Sequence, residues 1–211
     1  MKLILIRHGA TRGNLEHRYL GSTDEALLES EKLRLTGAAV RHRTRLDPVS
    51  LVYISPMKRC RETAEILFPG RQFTEAECLM ECCFGDFEYR NYQELAGNAD
   101  YQRFIDSGGT CGFPGGETQA EFIKRVSDGF LKLPMAAQPV KALLTPAGSC
   151  EERDEESECA LVVHGGTIMA LLSAFSEPHG DYFKWQTGNG CAFECVFDGR
   201  KMRKIEKCDL S

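Results

Sequence analysis

Two histidines stand in the same local setting. Each follows an apolar run and precedes glycine: Leu3-Ile4-Leu5-Ile6-Arg7-His8-Gly9, and Ala160-Leu161-Val162-Val163-His164-Gly165-Gly166. A single histidine after a strand is more often structural than chemical. Here the pattern repeats, and Arg7 lies beside His8. A cation at a buried strand end needs an anion. A third strand-like run, Leu51-Val52-Tyr53-Ile54, leads through Ser55-Pro56 into a helical pattern that carries Arg59 in its first turn. Glu81 ends a further apolar stretch, where partial desolvation would raise a carboxyl pKa. Two arginines, two histidines and one carboxylic acid suit phosphoryl transfer without a metal. Guanidinium groups donate bidentately to phosphate oxygens. One imidazole can attack phosphorus and form a phosphohistidine. The other can donate to the equatorial oxygens as charge builds there. A carboxylic acid can protonate the leaving alkoxide and then, as carboxylate, activate water.

The elements that must position these groups follow from the pattern. The runs 3–6, 51–54 and 160–163 are apolar without alternation, as expected of strands buried on both faces. Ligands of open α/β sheets bind beyond the carboxyl ends of such strands. Residues 29–45 are charged with spaced apolar residues and predict a helix whose basic end, Arg41 to Arg45, is solvated. Ser55 before Pro56 predicts a helix N-cap. Residues 73–79 read as extended. Residues 84–114 lose periodicity and form the most aromatic region of the chain, which predicts a cap of short helices with a local aromatic core. Phe122, Val126, Phe130 and Leu133 recur at helical spacing over 119–133. The acidic run at 145–158 predicts a solvated loop. Asp198-Gly199 between strand-like runs predicts a hairpin. Alternating strands and helices imply an α/β fold, a three-layer α/β/α sandwich with a mostly parallel sheet, over one domain spanning 1–211.

Composition excludes several classes. The chain has 211 residues, 42% hydrophobic and 27% charged, so disorder and fibrous repeats are not indicated. Its formal charge of −5 argues against a nucleic-acid or anionic-membrane partner. No apolar run approaches the roughly 20 residues of a membrane helix. The first six residues are too short for a signal-peptide core, and ten cysteines without a CxxC pair suggest reduced thiols in the cytoplasm rather than a zinc site or disulfide scaffold. A P-loop pattern is lacking.

The ordered set of motifs resembles the histidine phosphatase superfamily, the phosphoglycerate mutase-like proteins. The resemblance rests on Arg7-His8-Gly9 with Thr11 and Asn14, on Gly21 to Leu27, and on Ser55-Pro56-Met57-Lys58-Arg59-Cys60-Arg61-Glu62-Thr63-Ala64. It continues through Glu81 with Phe84-Gly85, Pro114-Gly115-Gly116-Glu117, and Val163-His164-Gly165-Gly166. It implies His8 as the phosphorylated nucleophile, Arg7, Arg59 and His164 as the phosphoryl clamp with Asn14 assisting, and Glu81 as proton donor. Thr11, Gly21, Ser22, Thr23 and Gly165 are further candidate phosphate- or substrate-binding positions. No metal or cofactor is implied. The expected partner is a small phosphorylated metabolite, with a homodimer left open. Ala10 stands where the family often has Glu, and Tyr89 where Gly is frequent. The short aromatic cap, with Arg103 its one basic residue over 91–114, favours a phosphomonoesterase over a phosphoglycerate mutase, which needs extra cations for its substrate carboxylate. The loop Tyr19-Leu20-Gly21-Ser22-Thr23-Asp24 looks most like the α-ribazole phosphatase type of cobalamin synthesis. A non-catalytic binding module is the remaining alternative, and the presence of His8, Glu81 and His164 speaks against it.

Overall fold

In a computed structural model, residues 1–137 and 158–210 are described. The predicted acidic loop at 145–158 lies outside the described residues apart from Glu158, which opens a strand. The chain runs β1 (Lys2–Arg7), α1 (Arg12–Leu15), α2 (Glu29–Arg41), α3 (Arg43–Leu46), β2 (Val49–Ile54), α4 (Lys58–Leu67) and β3 (Thr74–Glu75). It continues with α5 (Ala99–Asp106), α6 (Gln119–Phe130), α7 (Pro134–Ala137), β4 (Glu158–Val163), α8 (Gly165–Phe175), β5 (Cys191–Phe197) and β6 (Met202–Asp209).

The strands form one six-stranded sheet in the order β3-β2-β4-β1-β5-β6. The first four are mutually parallel, and β5 runs antiparallel to both of its neighbours, β1 and β6. Side chains of β1 alternate between two cores. Leu3 and Leu5 meet Phe122, Val126 and Phe130 of α6 and Ile168 and Leu171 of α8. Ile4 and Ile6 meet Leu35 of α2 and Ala64 and Leu67 of α4 on the other face. All four β1 aliphatics are fully buried, each worth about 1.5–3 kcal/mol on transfer. Helices on both faces explain why the strand carries no polar alternation. The same pairing sets the register of the chemistry: Arg7 stands opposite Val163, so His8 and His164 leave adjacent parallel strands side by side.

Several local expectations are revised. The helix predicted over 29–45 breaks at His42, and α3 follows at once. Its basic end is partly paired, Arg43 with Asp47 at 3.2 Å and Arg45 with Glu194 at 2.6 Å. Ser55 is not the N-cap of α4. Met57 holds that position without a side-chain bond, and the Asp24 carboxylate accepts from Lys58 N at 2.7 Å instead. The extended reading of 73–79 reduces to the two residues of β3 and a 3₁₀ turn at Glu77–Leu79. The helix predicted over 119–133 ends at Phe130. The Asp198-Gly199 hairpin forms between β5 and β6. No helix among the described residues is long and apolar enough to cross a membrane.

Candidate active site

The loop after β1 turns on backbone bonds that aim His8. Its N–H donates to Val163 O at 2.9 Å, and Gly9 N donates to Thr63 Oγ1 at 3.0 Å. The ring Nδ1 lies 2.7 Å from Gly9 O. A carbonyl only accepts, so Nδ1 carries the proton and Nε2 keeps its lone pair. His8 is 3% exposed. Burial, and then the positive charges of Arg59 and Arg7, hold its pKa well below the ordinary histidine value. The neutral imidazole with a free Nε2 is the form a nucleophile requires.

His164 faces it edge-on, with ring centroids 5.2 Å apart. Arg59 Nε donates to His164 Nδ1 at 3.3 Å, so the remaining ring nitrogen carries the proton and donates to Ser55 Oγ at 2.7 Å. Ser55 thus orients the second histidine. His164 is fully buried, and burial lowers its pKa well below normal, with Arg59 adding to the effect.

The two arginines are not equivalent. Arg59 is fully buried. It donates to Thr23 O at 2.7 Å and Gly21 O at 2.8 Å, besides His164. Most of the expected bidentate face of Arg59 is therefore engaged by the 20–23 backbone, and its first effect is to tie that loop to the histidines. Arg7 is the open guanidinium. Its Nη1 donates to Thr187 O at 2.6 Å, while its Nε is buried without a hydrogen-bond partner among the described residues. A buried donor left unpaired costs about 1–3 kcal/mol, which an anion's oxygen would recover. Gly165 lies under this group; a Cβ there would approach Arg7 Cζ to 3.3 Å.

Glu81 enters from the turn after Glu77–Leu79. Its Oε1 accepts from Cys82 N and its Oε2 from Gly166 N, both at 2.9 Å. Burial raises its pKa from the ordinary carboxyl value, and the two N–H groups and both arginines only partly oppose it. That favours a protonated acid at higher pH than usual. A Cβ at Gly166 would fall 2.2 Å from Glu81 Oε1, so any larger residue there displaces the carboxyl. The backbone under Glu81 is braced by Arg125, which donates to Glu81 O at 3.0 Å and forks onto Glu117 at 2.6 and 2.9 Å.

The other candidate positions are reached differently from expectation. Thr11 is fully buried as the N-cap of α1, in a reciprocal capping box with Asn14. Asn14 Oδ1 accepts from Thr11 N at 3.2 Å and from Asn189 Nδ2 at 3.0 Å, which turns the amide nitrogen of Asn14 to the other side. The donors of Gly21 and Thr23 do not point at a phosphate site. Gly21 N, Thr23 N and Thr23 Oγ1 all bond Glu88 Oε1, at 3.0, 2.9 and 2.7 Å. An internal carboxylate thus occupies the place proposed for an anion, and Ser22 is exposed. Arg18 pairs with Glu16 and Glu94. Tyr89 has φ +60°, which explains a preference for glycine there. Its hydroxyl donates to Glu25 Oε1 at 2.5 Å.

Sequence reasoning missed Ser55, Thr187, Asn189 and Glu88 as supports. Asn189 Nδ2 also donates to His8 O at 3.2 Å, and Gly190 N to Arg7 O at 3.1 Å. The glycine-flanked Asn189 just before β5 was a legible sign of a tight turn; the other three carry no local pattern.

Beside Glu81 opens a pocket of about 200 Å³, walled by Tyr19, Phe84, Phe104, Phe113, Met169 and Tyr182. The cap supplies much of this wall. Rings of Tyr19, Phe84, Phe87, Tyr101, Phe104 and Phe113 pack at centroid distances of 4.6 to 6.4 Å, most pairs edge to face and Phe104 tilted by 34° on Phe113. Glu81 thus lies between the arginine–histidine cluster and an apolar cavity.

A family model described as histidine phosphatase superfamily (branch 1) matches residues 3–209. The uncharacterized phosphatase PhoE of Bacillus subtilis is 27% identical over 203 residues, covering 94% of this chain and 90% of that protein. The crystal structure of the α-ribazole phosphatase from Shigella flexneri superposes with a TM-score of 0.77 at 21% identity, covering 99% of this chain and 96% of that one. That of a phosphoglycerate mutase from Thermus thermophilus superposes with a TM-score of 0.70 at 23% identity, covering all of both chains.

Proposed function

The chain belongs to the histidine phosphatase superfamily, and from that premise we propose that it is a metal-independent phosphomonoesterase working through a phosphohistidine on His8. His8 Nε2 attacks phosphorus in line, and the P–O bond to the leaving alcohol breaks. Glu81 gives its proton to the departing oxygen. A water then enters, Glu81 carboxylate takes its proton, and the hydroxide displaces the phosphoryl group from Nε2 to release inorganic phosphate. Arg7 clamps the phosphoryl oxygens throughout. Arg59 supplies positive field from behind, Asn14 offers its amide nitrogen, and His164 exchanges Ser55 for a phosphoryl oxygen.

The observation that carries this reading is Glu81, a buried carboxyl with a raised pKa at the boundary between the charged cluster and the apolar pocket. A leaving alcohol in that pocket puts its ester oxygen at the acid. The substrate is a small organic phosphate with a partly apolar alcohol. α-Ribazole 5'-phosphate is the named candidate, supported by the aromatic cap and by the fold it shares with the Shigella protein. Phosphoglycerate interconversion is the weaker reading, because among the described residues neither lysine nor arginine lines the pocket to hold a second anion.

The test is a screen of phosphate esters, including α-ribazole phosphate and phosphoglycerates, with trapping of an acid-labile, alkali-stable phosphoenzyme. Hydrolysis with label on the wild type and none on His8→Ala is expected. Equal hydrolysis by His8→Ala overturns the mechanism. Activity abolished by EDTA overturns metal independence. Rapid phosphoglycerate interconversion overturns the esterase assignment.

A further inference from the structure

The pocket beside Glu81 has a second wall that the cap does not provide. Tyr182 and Phe183 come from a 3₁₀ turn, Tyr182–Trp185, in the connection between α8 and β5. Their rings meet edge-on at 5.1 Å. Phe183 is 56% exposed, although it lines the pocket mouth. A large apolar side chain at a concave rim, unused by the core, is where a ligand would complete its burial. Across the mouth, Gly109 has φ +80°, and a Cβ there would lie 3.4 Å from Phe183 Cζ and 3.5 Å from Phe104 Cζ. The two walls therefore approach each other at a glycine, leaving a slot between aromatic rings.

This second wall is held firmly relative to the phosphoryl cluster. Trp185 is buried and donates to Gly180 O at 3.2 Å. Two residues further on, Thr187 O receives Arg7 Nη1 at 2.6 Å. The polar residues that line the pocket besides Glu81 are few among the described residues: Tyr19, Cys82, Gln119 and Tyr182. A cavity of about 150 Å³ lined by apolar side chains admits benzene. The 200 Å³ here has room for one substituted planar ring.

We propose that Tyr182 and Phe183 are specificity-determining residues that select phosphate esters whose leaving alcohol carries an aromatic ring, sandwiched between Phe183 and the cap residues Phe104 and Phe113. This rests on the phosphohistidine reading above and narrows its substrate class. The ring stacks against aromatic faces that aliphatic chains fill poorly, and the Tyr182 hydroxyl meets a polar ring substituent. The ester oxygen then stays at Glu81.

The experiment compares benzyl phosphate with propyl phosphate, whose alcohols differ little in acidity, so that chemistry is matched and only pocket filling differs. The wild type is expected to show kcat/KM at least tenfold higher for benzyl phosphate. Phe183→Ala, a change at an exposed position that the core does not use, is expected to remove most of that preference, chiefly through a rise in KM for benzyl phosphate. Phe183→Tyr, which keeps a ring, is expected to restore it. Tyr182→Phe is expected to keep benzyl phosphate hydrolysis and to lose activity on 4-hydroxymethyl-benzyl phosphate relative to it. Equal rates on the two esters, or an equal loss on both in Phe183→Ala, overturns the assignment while the esterase reading stands. Hydrolysis of neither ester, without phosphoenzyme, overturns both.

Discussion

Gly166 N donates to Glu81 Oε2 at 2.9 Å, so the candidate proton donor is fastened to the first turn of the helix that follows His164. The acid is thereby set by the same strand end as His164, through a bond between residues that lie 85 apart in the chain. A carboxyl held by two N–H groups and still raised in pKa by burial is poised as an acid rather than as an exposed anion.

Glu81→Gln keeps the shape and removes the proton. With an alkyl phosphate the expected loss in kcat is about 10²–10⁴-fold, the usual worth of general acid catalysis. With p-nitrophenyl phosphate, whose leaving group needs no proton, phosphoenzyme formation should fall far less. Stopped-flow release of nitrophenolate checks the difference, and equal losses on both esters would remove Glu81 from the acid role.

The pH profile follows from two opposite shifts. His8 must be neutral, and its pKa is lowered, so activity rises with pH from below the ordinary histidine range. Glu81 must be protonated for the first step, and its pKa is raised, so activity falls again at a pH above the ordinary carboxyl value. A bell-shaped kcat/KM is expected for alkyl esters. Loss of the alkaline limb in Glu81→Gln assigns that limb.

Gly166→Ala pushes a methyl group onto Glu81 Oε1, which would stand 2.2 Å away. The carboxyl has to rotate out of its two N–H bonds. Alkyl phosphate turnover should drop by at least tenfold with little effect on phosphoenzyme formation from p-nitrophenyl phosphate. A melting temperature within a few degrees of wild type separates this from misfolding.

Arg59→Lys keeps the charge but not the fork. The carbonyls of Gly21 and Thr23, and Nδ1 of His164, would lose their shared donor. Each buried polar group left unpaired costs about 1–3 kcal/mol, so a loss of several kcal/mol in chemical denaturation is expected together with loss of activity. Arg7→Lys, at a guanidinium with an open Nε, should lose activity with a smaller loss of stability.

Stability should fall with acid for a definite reason. His8 and His164 are buried neutral with lowered pKa values, so the unfolded chain binds more protons than the native one below about pH 6.5. The stabilisation is complete above that value and is lost as pH falls through it. Thermal melts from pH 7.5 to 5 should show the decline, and His164→Gln should flatten it.

Much of this architecture was legible in the chain itself. Strand, histidine and glycine recur at 3–9 and 160–166, and unalternated apolar strands require helices on both faces. Those features determined the layered fold and the mostly parallel sheet, and they placed His8 and His164 together beyond the carboxyl ends of its central strands. They are local patterns, read from side-chain type and period. The duties of individual donors were not local. Arg59 had looked like a phosphate fork, and Gly21 and Thr23 like an anion cradle. Only the folded chain brings Glu88 under the 21–23 loop, Ser55 to His164, and Thr187 and Asn189 to Arg7 and His8. The far wall of the pocket, Tyr182 and Phe183, belongs to the same class. Which hydrogen bond a buried donor makes depends on the partner that packing delivers from a distant segment, and no spacing in the sequence encodes that choice.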